Sequence, residues 1–190
     1  EAIQALYGCL DQLIAALQSL AVLPKEMLPG QDPMTFLALA DSLTQDKARF
    51  ADCEKRTLVD EEAVSADVQV AVCDTAFASE FLSACASSMA HLAAFCDGLV
   101  LVSHFDAPSQ KIALTDATLH ICRLISNKTS RVTGDLMSVL TTSGSYTVSA
   151  AAKLQETCQP LFDGYDSLKS TLKVLRSILQ SMADHAGCAE

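Results

Sequence analysis

Nine apolar positions near the C-terminus, Leu154, Cys158, Leu161, Tyr165, Leu168, Leu172, Leu175, Leu179 and Met182, follow one another at alternating steps of four and three residues. An α-helix turns once in about 3.6 residues, so this spacing lines all nine along one face. A strand would scatter them over both faces of a sheet. A stripe this long predicts a helix of roughly 45 Å or more, and that helix needs other helices to cover its apolar side. Pro160 lies inside the segment and, having no amide donor, is expected to bend it near Glu156.

Four more segments carry the same period. Ile3, Leu6, Leu10, Leu13, Leu17 and Leu20 predict a first helix over 2–23. The stretch "LPKEMLPGQDP" then reads as a loop, and Asp32 before Pro33 has the form of a helix start. Phe36, Leu39, Leu43, Phe50 and Cys53 predict a second helix over 33–56, with a break in the stripe around Lys47. "TLVDEE", residues 57–62, is expected to begin the next helix with Asp60 as its cap. "DVQVAV", residues 67–72, alternates like a strand but is short and has helical flanks, so it is read as helical. Ala78, Leu82, Cys85, Met89, Leu92, Cys96 and Leu99 predict a third helix ending near His104. Pro108 is expected to open a fourth, carrying Ile112, Leu119, Cys122, Ile125, Val132, Leu136 and Val139, and "TTSGSYT" is the last turn.

Composition agrees. Half the residues are hydrophobic but only 5% are aromatic, Trp is absent, and Gly (7) and Pro (5) are few. Such a core is built from Leu, Ala, Val, Ile and Met, and the shortage of turn residues excludes a sandwich or barrel. The predicted fold is all-α: an elongated antiparallel bundle of about five long amphipathic helices, forming a single domain over 1–190. Residues 81–102 contain the most apolar stretch, yet Asp97, Gly98 and several serines interrupt it, so a membrane span is not expected. The chain starts inside a helical pattern at Glu1 without an initiator Met, as expected of a mature form or an excised piece.

The formal net charge of −10 argues against a nucleic-acid partner. Eight cysteines allow two readings: buried thiols of a cytoplasmic protein, or bridges of an extracellular one. Cys85 and Cys96 share a face of one helix about 16 Å apart, so any bridge must cross between helices. Because Cys53, Cys85, Cys96, Cys122 and Cys158 fall on apolar seams, the reduced reading is preferred. The sequon Asn127–Thr129 falls inside the fourth helix and is read as coincidence. His91 and His104 are read as exposed or capping residues.

No spacing typical of a metal site, a phosphate loop or a nucleophile elbow is present, so no catalytic, cofactor-binding or metal-binding residue is assigned. In composition the chain resembles the helical rod and adaptor bundles of membrane–cytoskeleton linkers and motor cofactors, a likeness that rests on no motif. The expected function is accordingly that of a non-catalytic protein–protein interaction module in a cytoplasmic scaffold or adaptor. The alternatives are an extracellular disulfide-stabilised bundle and, more remotely, a lipid carrier. Partners would be other proteins bound through helix faces, self-association included. Tyr7 and Ile14 widen the seam of the first helix and are the candidate partner-facing residues.

Overall fold

The structure is a computed structural model that describes residues 2–24, 28, 32–63, 75–105, 114–143 and 150–187. Among these residues there are five helices and no strand: α1 (Ala2–Ala21), α2 (Pro33–Ala63), α3 (Thr75–Phe105), α4 (Asp116–Ser143) and α5 (Ala150–Gly187). The all-α bundle is as predicted. Asp32 caps α2 as its sequence implies, its Oδ1 accepting from the Met34 amide at 3.3 Å. Two boundaries differ. Residues 57–63 continue α2, so Asp60 lies within that helix rather than capping a new one. The cap of α4 is Thr115, whose hydroxyl accepts from the Thr118 amide at 3.2 Å. Pro108, Ile112 and the segment 67–72 lie outside the described residues. α5 runs through Pro160 as one helix.

Cross-helix contacts set the direction of each element. Asp11 meets Lys47 and Tyr7 meets Glu54, so α1 and α2 are antiparallel. Phe36–Phe95 and Phe50–Phe81 make α2 and α3 antiparallel. Thr129 bonds the Met89 carbonyl, and Arg131 meets Asp163, which carries the alternation through α4 and α5. Tyr165 bonds the Ala2 carbonyl and Arg176 bonds Gln12, so α5 closes against α1 in parallel.

The seams read from the sequence are buried: Leu6, Leu10, Leu13 and Leu17 of α1, and Leu168, Leu172, Leu175 and Leu179 of α5, are fully enclosed. α3 packs on α2, α4 and α5. It therefore buries a second stripe, Phe81, Ala84, Ser88 and Phe95, beside the predicted one. This explains its apolar character. Ala76–His104 is long and apolar enough by composition to cross a membrane, with a mean hydropathy of 1.6, and a helix covered on several sides has the same composition.

α3 and α5 meet closely at Gly164, where an added Cβ would overlap the Leu82 Cδ2 methyl. Leu82 is fully buried and has little room to turn away. Gly164→Ala gains about 1 kcal/mol of helix propensity but meets an overpacking cost of about 1–3 kcal/mol. A net loss of about 0–2 kcal/mol is expected in urea unfolding; a stabilised variant would show that the two helices can part without cost.

Candidate functional site

The break in the α2 stripe marks the site. Stepping from Leu43 by three reaches Asp46, and four more residues reach Phe50. Asp46 therefore occupies a seam position, and it is only 1% exposed. A buried carboxylate is costly unless its oxygens are hydrogen-bonded. The second stripe of α3 supplies the partners. Ser88 Oγ donates to Asp46 Oδ2 at 3.0 Å, and His91 Nδ1 stands 3.0 Å from the same oxygen. Arg49, one turn along α2, has its Nη1 3.7 Å from Asp46 Oδ1 and donates to Ser87 Oγ at 3.2 Å.

This arrangement has chemical consequences. An ionised carboxylate only accepts, so it holds the proton of His91 on Nδ1 and leaves Nε2 as the free base nitrogen. The His91 side chain is 40% exposed while Asp46 is enclosed, so the imidazole can reach both the interior and solvent. A half-exposed histidine oriented by a buried carboxylate can accept and return a proton. His91 is part-exposed, as its reading as an exposed or capping residue implies, and the structure adds its hydrogen bond to the buried Asp46. His104 does cap: its Nδ1 lies 2.6 Å from the Val100 carbonyl in the last turn of α3.

Arg49 connects this pair to a cleft of about 440 Å³ that it lines with Asp52, Cys53, Ser79, Glu80, Ser83 and Ala84 from α2 and α3, and Leu136 and Leu140 from α4. The cleft offers one cation, two carboxylates and two hydroxyls over an apolar floor, a lining suited to a small ligand carrying both signs of charge.

Tyr7 and Ile14 share a side of α1, and both are half-buried against the core. The Tyr7 hydroxyl donates to Glu54 Oε2 at 3.0 Å, and the Lys47 ammonium lies 5.7 Å from its ring centroid. Burial, and then the Glu54 carboxylate, push the Tyr7 phenol above its ordinary range. Part of the extra seam width is thus used within the chain. Among the described residues neither Tyr7 nor Ile14 hydrogen-bonds to Asp46, whose polar partners are Ser88, His91 and Arg49.

Among the described residues no group of three or more His, Cys, Asp or Glu is placed to hold a metal ion. Asp135 of α4 is held above the ordinary carboxylate value of 3.8 by burial and by Asp163, against the opposing pull of Arg131. The folded state then binds this proton more readily than the unfolded chain. The associated stability is present below the unfolded pKa and is lost as pH rises through the folded one. Asp135→Asn is expected to raise Tm at neutral pH, with the gain shrinking as pH falls toward 3.8. Thermal unfolding across that range checks this, and a gain independent of pH would contradict it.

No family model matches the chain. Individual curated proteins do. The chain is 31% identical over 227 aligned positions to the argininosuccinate lyase of Pelotomaculum thermopropionicum, covering 95% of this chain and 49% of that protein. It is 31% identical to that of Desulforamulus reducens, over 79% of this chain and 41% of the relative. It is 28% identical to that of Citrifermentans bemidjiense, over 77% and 39% respectively. The chain therefore spans about two fifths to one half of the curated relatives it matches.

These relatives overturn the expectation of a non-catalytic scaffold or adaptor, because each is named for a catalysed reaction. The expectation that the chain is not an enzyme is corrected on the same ground. Nothing in the names supports the cytoskeletal likeness or the extracellular alternative. The physical reason for the error is that no local motif is needed. In a bundle of long helices, titratable groups 45 residues apart, such as Asp46 and His91, come to hydrogen-bonding distance across an interface.

Proposed function

We propose that this chain is the helical part of a cytoplasmic lyase of the argininosuccinate type, and that the Asp46–His91 pair beside Arg49 is its proton-transfer site. The observation that carries the reading is the 31% identity to an argininosuccinate lyase over 95% of the chain. Lyase chemistry of this kind breaks a C–N bond by elimination. A base takes a proton from the carbon beside a carboxylate, the bonding pair becomes a C=C bond, and the departing nitrogen is protonated. His91 Nε2 is suited to the proton transfer. Arg49 is suited to a substrate carboxylate, and Asp52 and Glu80 of the cleft to a guanidino group. The unpaired, buried thiols of Cys85, Cys96 and Cys122 fit a reducing compartment.

The test is direct. The purified protein is incubated with argininosuccinate, and arginine release is followed together with the ultraviolet absorbance of the new conjugated double bond. Turnover that both readouts report in step is expected. A folded protein that releases no arginine at saturating substrate overturns the reading.

A further inference from the structure

The mechanism assigned to His91 leaves one member of the buried network without a task. Ser88 stands one turn before His91 on α3, on the same face, and is fully enclosed. Its hydroxyl has a single proton to donate. Other serines in these helices donate theirs to their own backbone: Ser19 to the Ala15 carbonyl at 2.8 Å, Ser42 to that of Ala38 at 2.9 Å, and Ser103 to that of Val100 at 2.6 Å. Ser88 donates across the interface instead, to Asp46 Oδ2 at 3.0 Å. The same oxygen lies 3.0 Å from His91 Nδ1. Two donors from α3 thus converge on one carboxylate oxygen, while Arg49 Nη1 faces the other at 3.7 Å.

We propose that Ser88 is a positioning residue for the proton-transfer pair: by sharing Asp46 Oδ2 with His91, it limits how strongly the carboxylate holds a proton on the imidazole. Its catalytic consequence rests on the lyase reading given above; the geometry does not. Asp46 with His91 as the only donor on Oδ2 would direct more of its charge at Nδ1–H and stabilise the imidazolium. Nε2 would then take a proton readily but release it slowly. Turnover needs both, because the base must be emptied before the next elimination. Ser88 offsets part of that stabilisation. Its burial matters here. Water would replace an exposed donor once it was removed, whereas Asp46 is 1% exposed and solvent has little access to the vacated place.

The charges around the pair leave this role to Ser88. Among the described residues, the ion pairs of Asp46 are with Arg49 and His91. Lys47, its neighbour on α2, is engaged with Asp11 and Tyr7 of α1. The ion pair of α4 and α5, Arg131–Asp163, joins those two helices to each other. The Cys85 thiol, one turn before Ser88, is kept protonated by burial, then by Cys53 and Asp46.

The test is an NMR titration of the carbon-bound ring protons of His91, with the signal assigned by its absence in His91→Gln. Relative to the wild type, Ser88→Ala is expected to move the His91 midpoint up by about half a pH unit to one unit. The acid limb of kcat/KM against pH for argininosuccinate should move by the same amount in the same direction. Ser88→Cys fills a similar volume but donates only weakly, so it should act in the same sense and serves if the alanine variant does not fold. Ser88→Thr, which keeps the hydroxyl, should hold the wild-type midpoint. Circular dichroism checks the helix content of each variant. A folded Ser88→Ala or Ser88→Cys protein whose His91 midpoint stays put or falls overturns the proposal. Because the midpoint requires no turnover, it judges Ser88 even in a protein that releases no arginine, the result that would sink the lyase reading.

Discussion

Phe50→Ala is expected to lower the unfolding free energy by about 3–5 kcal/mol, the usual cost of removing a buried aromatic ring. Phe50 is fully enclosed, and its ring centroid lies 5.3 Å from that of Phe81, which in turn stacks on Phe77 at 5.8 Å. Aromatics make up only 5% of the chain, so few side chains are large enough to fill the space left behind. The pair also has a second task. It closes one side of the Asp46 network, and Phe36–Phe95, at 5.4 Å, closes the other. The α2–α3 interface is thus apolar, then polar, then apolar again, and loss of Phe50 opens the buried carboxylate to water. Urea unfolding should show a lower midpoint with an unchanged slope. Val22→Ala is the reference, because Val22 is 86% exposed and its loss should cost under about 0.5 kcal/mol. Equal costs at the two positions would mean that the α2–α3 interface is not packed as described.

On the proposed lyase function, His91→Gln is expected to reduce turnover of argininosuccinate by about 10²–10⁴-fold, the range that general acid–base catalysis contributes. Glutamine can still hydrogen-bond Asp46 but cannot accept a proton at neutral pH. Asp46→Asn should follow in the same direction. An amide can present its NH2 to the ring and so stabilise the tautomer with the proton on the wrong nitrogen. The variants separate two roles. A catalytic His91 predicts lost turnover in His91→Gln with little change in stability, because its side chain is 40% exposed. A purely structural network predicts the opposite, with Asp46→Asn less stable and turnover intact. That second pattern would remove His91 from the proposed mechanism while leaving the lyase assignment to be judged by the wild-type assay alone.

Much of the framework was legible from local patterns. Leu6 to Leu20 of the α1 seam and Leu168 to Met182 of the α5 seam are buried at the positions their spacing indicated, Ile3, Cys158, Leu161 and Tyr165 are only partly so, and Asp32–Pro33 begins α2. Helix periodicity and capping involve residues within a few positions of one another, so a linear reading can find them. The misreadings share a cause. Thr57–Glu62 contains a good cap residue in Asp60, but a cap forms only where a helix ends, and α2 continues. The gap in the α2 stripe was visible, yet its meaning depended on which residues faced it. The serines of α3 read as interruptions and His91 as an exposed or capping residue because the second buried stripe of α3 exists only when α2 lies alongside.

The chain's own order of residues therefore determined that it forms long helices, where several of them begin, and which edge of each avoids water. Those properties arise from backbone hydrogen bonds and side-chain spacing within a single helix. Tertiary structure alone decided that Asp46 meets His91 and that Phe50 meets Phe81. Each pairing depends on the register between antiparallel rods. That register is set by how whole surfaces interlock, so no stretch of sequence read by itself contains it.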